Sequence, residues 1–364
     1  MIATELRGFG PFGGFGVLTH EIALGLRDRG LEVSVVVPRQ DGQRPVELVD
    51  GLIVYSYPSP LYSGLHLVRI YKTVYRLVDA DIYHSEEPSL GTALAQLGAP
   101  DRKHIVTFQD PRTIQDWRKQ WMPSLPNKLW QLKFMLRYQW EVGRAVRRAD
   151  ARYCQAKYII EKAAHIFRLS QKPGFLPNPV RFTEIRRPKQ KTPTVCFVGR
   201  WDPIKRPELF LELAGRFPEV RFIMVGACLS NSTRDMQLRE RAVQLRNVEA
   251  PGWMSHDEIG EVLDQSWVLI NTSSKECLPV TYLEAAAHKC AILSHGNADE
   301  FASDFGYWAK QGDLDDYVRG LGYLLDQHRW RPLGEKAYSY VLEVHEYNNV
   351  IKRHLEVYQE LLEK

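Results

Sequence analysis

The sequence predicts an α/β protein of two domains, each built around a mainly parallel sheet. Its 364 residues exceed the roughly 250 to 300 residues that one hydrophobic core usually serves. Short runs rich in β-branched residues alternate with helical patterns, which is typical of βαβ units. The alternation starts afresh after a proline-bearing, polar stretch near residues 177–192, a composition typical of linkers.

The first domain, residues 1–180, is predicted to begin with a glycine-rich turn that leads into a helix. Apolar residues recur at helical spacing over 17–29, and Gly30 is suited to end that helix. The strands predicted for this domain are 2–5, 32–37, 52–57, 81–84 and 104–107.

The second domain, residues 181–340, repeats the pattern. Its predicted strands are 194–198, 221–225, 248–251, 267–271 and 291–294, and its predicted helices are 208–216, 256–264 and 283–288. The last segment is predicted to form one or two helices, with Val350, His354, Val357 and Leu361 on one stripe. We expect the C-terminal helix, residues 341–364, to cross back to the first domain.

Composition excludes several classes of protein. Hydrophobic residues make up 44% and charged residues 25% of the chain, which is average for folded globular proteins. The longest apolar runs are far shorter than the roughly 20 residues that span a bilayer, and the first residues lack the pattern of a secretory signal. Five cysteines stand singly, which favours reduced thiols and a cytoplasmic location.

Positive charge is concentrated in one stretch of the first domain. Residues 102–172 carry 16 Lys and Arg against 5 Asp and Glu, interleaved with tryptophans. Such a stretch fits an anionic membrane surface, and the protein would then be peripheral on that membrane. A solvated helical face with aromatic residues behind it is the open alternative. The residues that would meet the membrane are Trp117, Arg118, Lys119 and Trp121, then Lys128, Lys133 and Arg137.

Two cations follow the strand that opens the second domain. Gly199 and Arg200 come directly after it, and Lys205 lies five residues beyond Arg200. Open α/β sheets bind ligands at the carboxyl ends of their strands, and both cations suit phosphate oxygens. A diphosphate is therefore the predicted ligand, with a solvated basic loop as the alternative.

Two glutamates flank a turn in the same domain. Glu276 precedes a proline-containing loop, and Glu284 is expected to open the helix 283–288. A helix N-terminus attracts anions and offers free amides, and carboxylates there can accept hydrogen bonds from sugar hydroxyls. The alternative is that glutamate is here only because it interacts favourably with the helix dipole, since acidic residues are common in the first turn of helices.

The glycine-rich start of the chain admits two interpretations. Glycine lets a backbone approach a phosphate closely, so Gly14 and Gly16 are candidates for that contact. Gly8, Gly10 and Gly13 also spell the GxGxxG of dinucleotide oxidoreductases. We disfavour that class, because the predicted helix begins only after the motif and no ribose-binding acid follows the next strand.

No metal site is predicted from the residue pattern. Asp79 and Asp81 match a DxD spelling that can hold a metal, but they stand at the entrance of a predicted strand, where a turn aspartate is common. The histidines form no HxH or HExxH set.

Taken together, these motifs resemble the retaining glycosyltransferases of family four, also called glycosyl transferases group 1. That family has the GT-B fold, two facing Rossmann-like domains with mainly parallel sheets. Each motif is weak alone, whereas their order and spacing over nearly the whole chain are specific. The segments that carry the resemblance are 13–16, 27–33, 81–84, 177–180, 199–205, 225–226 and 276–284.

The resemblance implies an enzyme that moves a hexose-type sugar from a nucleotide-diphosphate sugar to a glycan or lipid-linked acceptor, with retention of anomeric configuration. It implies no metal, because cationic side chains neutralise the leaving diphosphate. It also implies no cofactor and no nucleic-acid partner. The implied catalytic residues are Arg200, Lys205 and Glu276. The implied donor-binding residues are Gly14, Gly16, Gln109, Gly199, Gly226, Trp253, Met254, Leu278, Pro279, Val280 and Glu284.

Two positions depart from the family pattern. Gln109 stands where a histidine is common, and Cys277 stands where a glycine usually begins the loop. Glutamine can hydrogen-bond a sugar hydroxyl but cannot accept a proton at neutral pH. These departures leave a non-catalytic nucleotide-sugar binder open beside the transferase. A nucleotide-sugar epimerase also stays open, because it would have the same architecture and donor cradle but no acceptor cleft.

Overall fold

The computed structural model describes residues 1–363 except 11, 40–41, 59–64, 114–115, 117–127, 183–186 and 229–230. Side chains are not described at 65–68, 70–71, 128–131, 133–134, 137 and 139. The chain divides into a first unit, Met1–Pro179 with Asn348–Lys364, and a second unit, Val180–Tyr347.

The first unit alternates strands and helices as βαβ packing requires. Its strands are β1 (Ser34–Arg39), β2 (Val46–Val49), β3 (Leu52–Pro58), β4 (Ile82–Ser85), β5 (Lys103–Phe108), β6 (Ala151–Cys154) and β7 (Gly174–Phe175). Its helices before the second unit are α1 (Gly14–Arg27), α2 (Leu65–Val78), α3 (Leu90–Gly98), α4 (Lys128–Arg148) and α5 (Ile159–Phe167).

The segment around Ile2 joins the two sheets of the first unit. One sheet has the order β1-β3-β2 and the other β4-β5-β6-β7, and Ile2 bridges in parallel to Val36 of β1 and to Ser85 of β4. The strand predicted at 2–5 is thus reduced to a single bridged residue. The cause is a turn, because the Phe9 amide donates to the Leu6 carbonyl and folds the chain back.

The second unit carries one sheet with all neighbouring strands parallel. In the order β10-β9-β8-β11-β12-β13, β8 lies near the centre. The strands are β8 (Thr194–Val198), β9 (Arg221–Val225), β10 (Val248–Gly252), β11 (Val268–Asn271), β12 (Ala291–Ser294) and β13 (Gly306–Trp308). The helices are α6 (Pro207–Ala214), α7 (Ser232–Val243), α8 (His256–Gln265), α9 (Val280–Ala287), α10 (Phe301–Phe305), α11 (Leu314–Leu325) and α12 (Trp330–Val344).

The chain ends in helix α13 (Tyr347–Leu362), most of which belongs to the first unit. The stripe predicted from periodicity, Val350, His354, Val357 and Leu361, is buried. Farther along the helix, the Tyr358 hydroxyl lies 2.7 Å from Nδ1 of His84, at the end of β4. This helix therefore completes the core of the first unit.

The prediction of an α/β chain with mainly parallel sheets is confirmed. The exception is the antiparallel pair β2–β3, of which β3 was predicted as a strand and β2 was not. Among the helices that the structure describes, none combines the length and the apolar character needed to cross a membrane.

Candidate functional site

The candidate site of the second unit lies where β8, β9 and β10 end. Gly199, Gly226 and Gly252 occupy these strand ends, and the Gly226 amide donates to the Gly252 carbonyl at 2.8 Å. A Cβ atom on Gly226 would lie 1.9 Å from the Gly199 carbonyl oxygen, and φ of Gly226 is +130°. Only glycine fits this position, so two strand ends approach each other more closely than side chains would permit.

The two predicted cations stand in the loop that follows β8. The Arg200 guanidinium is 56% exposed and its Nε lies 3.1 Å from Oδ2 of Asp202. Lys205 is more enclosed, with a 25% exposed side chain, and forms an ion pair with Glu276. Both predicted cations therefore already have an anionic partner, and Arg200 is the more exposed of the two.

Backbone contacts between adjacent strand-end loops explain why Lys205 meets Glu276. Strands β8 and β11 are neighbours, so the loops that follow them leave the same edge of the sheet. The Ser274 amide donates to the Ile204 carbonyl at 2.7 Å, and the Arg206 Nε donates to the Thr272 carbonyl at 2.8 Å. The two loops are held together before any ligand binds.

Glu284 lies farther along α9 than the sequence predicted. The helix begins at Val280 rather than at residue 283, because Pro279 takes the N-cap position and fits an extended backbone there. Glu284 is therefore in the second turn and does not open the helix. Burial raises the pKa of its carboxyl, and His256 opposes that rise with Nδ1 at 3.6 Å from Oε1.

The remaining candidate donor residues of this unit differ in what they can offer. Leu278 is buried in the core, so only its backbone is available to a ligand. Pro279 and Val280 are half-buried beside the N-terminus of α9, where backbone amides lack helical partners. Trp253, after β10, is 67% exposed, and Met254 next to it is half-buried.

Three residues at this edge were not singled out from the sequence. Arg206 follows Lys205 directly, and His256 is the first residue of α8 beside Glu284. His295 follows β12 with Nδ1 3.2 Å from the Tyr317 hydroxyl, and its pKa is lowered by burial and by Arg206. Each of these residues directly follows a strand of the same sheet or a loop at its edge, and that position in the sequence could have identified them as candidate site residues.

Two of the three candidate residues of the first unit, Gly16 and Gln109, are already engaged by protein groups. The Gly16 amide donates to Oε1 of Glu5 at 2.9 Å, so a carboxylate occupies the place predicted for a phosphate oxygen. Gly14, the first residue of α1, has open space where a Cβ would lie. Gln109 is buried and exchanges two amide hydrogen bonds with Asn178, at 3.0 and 3.1 Å.

Asp79 and Asp81 stand at the amino end of β4, where Arg102 bridges them at 2.7 and 3.2 Å. Across the described ranges, no group of three or more His, Cys, Asp or Glu is arranged to hold a metal ion.

The basic, aromatic stretch is only partly described. Trp117, Arg118, Lys119 and Trp121 lie outside the described residues, as do the side chains of Lys128, Lys133 and Arg137. On the described part of α4, Leu132, Leu136 and Trp140 are each more than half exposed. Their spacing of four places them on one face of the helix.

Two family descriptions match the chain, one on each side of the linker. Residues 181–340 match Glycosyl transferases group 1, and residues 12–183 match Glycosyltransferase Family 4. Together they span residues 12–340. No curated protein sequence matches the chain.

Solved structures share the whole architecture at low sequence identity. Sucrose-phosphate synthase from Thermosynechococcus elongatus is 14% identical with a TM-score of 0.78, over 99% of this chain and 98% of that one. HepE from Anabaena, in complex with UDP-glucose, is 13% identical with a TM-score of 0.70, over 99% and 100%. The catalytic domain of starch synthase IV from Arabidopsis thaliana, bound to ADP and acarbose, is 14% identical with a TM-score of 0.65, over 100% and 99%.

These matches agree with the strand orders and the parallel pairing of both units. The fold predicted from the motifs, two Rossmann-like domains of the GT-B type, is confirmed. The chain belongs to the glycosyl transferases group 1, and it is a glycosyltransferase.

Proposed function

We propose that the chain transfers a hexose-type sugar from a nucleotide-diphosphate sugar to a glycan or lipid-linked acceptor, with retention of anomeric configuration and without a metal or cofactor. One observation supports this proposal most. At the carboxyl edge of the second sheet, exposed Arg200 and the ion pair of Lys205 with Glu276 lie in two loops that are hydrogen-bonded to each other. This edge offers both cations for a diphosphate and a carboxylate for sugar hydroxyls.

Each residue has one role in the proposed reaction. Arg200 and Lys205 stabilise the negative charge that develops on the diphosphate as the bond from the sugar C1 to the phosphate oxygen breaks. The acceptor oxygen bonds to C1 on the same face, and its proton passes to the departing diphosphate. Glu276 orients the hydroxyls of the transferred sugar, and Glu284 accepts hydrogen bonds from the ribose.

Trp253 and Met254 are proposed to face the base of the donor. The exposed indole of Trp253 offers a flat apolar surface, which suits stacking without strong selection among bases. HepE is bound to UDP-glucose in its complex, and starch synthase IV is bound to ADP. Both nucleotides, with GDP, therefore belong in a donor test.

The experiment is a thermal-shift panel of UDP, ADP, GDP and their hexose derivatives, followed by transfer assays with the donor that binds. A ligand at 100 times its dissociation constant stabilises the folded state by about 2.7 kcal/mol. Proton NMR of the product then reports the anomeric configuration. Retention in the presence of EDTA is expected, whereas inversion, or turnover that EDTA abolishes and magnesium restores, would contradict the mechanism.

The same assays separate the alternatives. An epimerase would change the sugar of the donor without consuming an acceptor, which product analysis detects. A non-catalytic binder would give the thermal shift but neither hydrolysis nor transfer. The neutral amide pair of Gln109 with Asn178 and the half-buried Cys277 are the features that keep the non-catalytic binder relevant.

We further propose that α4 rests on an anionic membrane surface. Leu132, Leu136 and Trp140 form an exposed apolar stripe, and Arg144, Arg147 and Arg148 are exposed on the same helix. Apolar insertion and attraction to anionic headgroups reinforce each other in interfacial helices. A lipid-linked acceptor would be reached directly from such a surface.

A further inference from the structure

Arg206 stands at a position where two local rules disfavour arginine. It is the N-cap of α6 and its φ is +47°, a left-handed conformation that glycine adopts freely and most other residues avoid. An N-cap side chain normally accepts a hydrogen bond from a helix amide, whereas a guanidinium only donates, and this side chain makes no capping bond. Both rules favour glycine or asparagine here, so the reason for arginine lies in the contacts of its side chain.

The guanidinium of Arg206 reaches three other strand-end loops at the same edge of the sheet. Its Nε donates to the carbonyl of Thr272, after β11, at 2.8 Å. Its Nη2 lies 3.5 Å from Nδ1 of His295, after β12. Its Nη1 lies 3.1 Å from the place where a Cβ of Gly312, in the loop after β13, would be. Because Arg206 itself follows β8, this one side chain lies among the loops of four consecutive strands of the sheet.

Thr272 also holds the backbone of the segment that carries Arg206. Its side chain is fully buried, and its hydroxyl lies 2.7 Å from the carbonyl oxygen of Lys205 and 2.9 Å from that of Arg206. Thr272 and Arg206 therefore contact each other through both backbone and side chain. Since Lys205 directly precedes Arg206, this double contact fixes the place from which the Lys205 side chain extends.

The surroundings of Arg206 differ from those of Arg200. The backbone amide of His295 donates to the Tyr317 hydroxyl at 3.2 Å, and that hydroxyl donates to the Asn271 carbonyl at 2.8 Å. Burial, and then the charge of Arg206, lower the pKa of His295, so a neutral imidazole lies beside the guanidinium. Arg206 is half-buried among these groups, whereas Arg200 is 56% exposed. The guanidinium of Arg206 is thus directed at the protein and that of Arg200 at solvent.

We propose that Arg206 is a positioning residue of the donor site: its guanidinium holds the strand-end loops together and so keeps the Lys205 ammonium opposite the Glu276 carboxylate. Glu276 belongs to the loop whose Ser274 amide donates to the Ile204 carbonyl at 2.7 Å, so the loops that carry the two charges move together. Non-glycine residues in a left-handed conformation persist where the surrounding structure fixes them, often at functional sites. The inference rests on the proposed transferase function and adds a residue that acts through Lys205.

The first test compares Arg206→Gly with Arg168→Gly in the full chain. Arg168 also has a positive φ, of +52°, and is exposed in the first unit, so it is the matched control for replacing a left-handed arginine by glycine. Both variants should fold, because glycine adopts this conformation freely. Of UDP, ADP and GDP, the one that the wild type binds should bind roughly tenfold more weakly to Arg206→Gly and unchanged to Arg168→Gly. Wild-type affinity in Arg206→Gly would overturn the proposal. Arg206→Asn is the second variant if Arg206→Gly does not fold, since asparagine tolerates this conformation.

A double-mutant cycle with Lys205→Ala distinguishes positioning from direct contact with the diphosphate. If Arg206 acts through Lys205, Arg206→Gly should cause no further loss of affinity in the Lys205→Ala background, because residues that act as a unit are not additive. A full second loss would mean that the guanidinium binds the diphosphate itself, and would overturn the positioning role. Millimolar guanidinium chloride should restore part of the affinity of Arg206→Gly but not of Lys205→Ala. An equal response of Arg206→Gly to sodium chloride would contradict a role of the guanidinium.

Hydrogen exchange of the Ser274 amide, which bonds to the Ile204 carbonyl, reports on the loops without any ligand. This amide should exchange roughly tenfold faster in Arg206→Gly than in the wild type or in Arg168→Gly, because exchange follows local opening. Unchanged exchange would overturn the proposal even if affinity falls. The same measurement separates this proposal from the proposed function. A wild type that binds none of the three nucleotides contradicts the donor site, whereas faster exchange in Arg206→Gly alone would still support Arg206 as the residue that holds the loops.

Discussion

The ammonium group of Lys205 forms an ion pair with the carboxylate of Glu276, although 71 positions separate the two residues in the sequence. Both side chains are partly buried, at 25% and 14% exposed. A diphosphate that enters this edge must compete with Glu276 for Lys205. In the proposed mechanism, the pair keeps each charge compensated until a donor arrives and then releases Glu276 toward the sugar.

Glu276→Gln should separate nucleotide binding from turnover. The substitution frees Lys205 from its anionic partner, so affinity for the nucleoside diphosphate should be kept or rise a few-fold. Turnover of the nucleotide sugar should fall by roughly 100-fold or more, the usual cost of losing one group that acts in the transition state. Titration calorimetry and initial rates measure the two effects. Glu219→Gln, exposed in the same unit, is the control, and normal turnover in Glu276→Gln would remove this carboxylate from the chemistry.

Ribose recognition by Glu284 should depend on pH. Burial raises the pKa of this carboxyl, so its charged form is present only above that raised pKa and is lost as pH falls through it. Affinity for UDP should therefore decrease toward acidic pH, whereas affinity for 2′,3′-dideoxy-UDP should not. His256→Ala removes the cation that opposes the rise when protonated and should move the transition to higher pH. Parallel pH profiles for both nucleotides would argue against a contact between Glu284 and the ribose.

Glu86 should make the folded state less stable as pH rises. Its pKa is about 7 in the folded chain, against 4.5 for a solvent-exposed glutamate, so the folded state holds an extra proton between these pH values. Stability is then lost from about pH 4.5 to 7, by up to about 3 kcal/mol. Thermal unfolding of Glu86→Gln should lack this part of the pH dependence, with Glu32→Gln as the control. Identical pH dependence in both variants would show that burial does not raise the pKa of Glu86.

Membrane association should require the exposed stripe of α4. Sedimentation with vesicles should show binding to anionic but not neutral lipid, and high salt should weaken it, because each basic residue near the surface contributes about 1 kcal/mol. Replacing Leu132, Leu136 and Trp140 by serine should reduce the bound fraction. Leu48→Ser, an equally exposed position on β2, is the control. Equal binding to both lipids, or binding to neither, would leave α4 as a solvated face and favour an acceptor in solution.

Periodicity and strand-end motifs predicted most of the fold. The bounds predicted for strand 194–198 and for its neighbours are close to the observed bounds, because continuous β-branched runs between turn residues have few other interpretations. The short first strand and β2 were not, since a single bridged residue at Ile2 and an antiparallel edge depend on partners distant in sequence. The start of α9 was misplaced because Pro279 was taken as part of a loop, although proline is well suited to a helix N-terminus.

The site was predicted in its residue types but not in its pairings. Arg200, Lys205 and Glu276 could be named from the loops that carry them. Nothing local in the sequence shows that Lys205 and Glu276 meet, or that Glu5 occupies the Gly16 amide. Such contacts follow from which strands are neighbours, and that is decided by the whole sheet.

The affinity of the full chain for its nucleoside diphosphate, in the wild type and in Arg200→Ala and Lys205→Ala, tests the central claim most directly. Each variant should weaken binding by about 1.5 to 3 kcal/mol, the usual contribution of a charge-assisted hydrogen bond. Arg216→Ala is the matched control, because Arg216 is 56% exposed in the same unit, as is Arg200, and it should bind as the wild type does. Wild-type affinity in both folded variants would contradict the assignment of this sheet edge as the donor site.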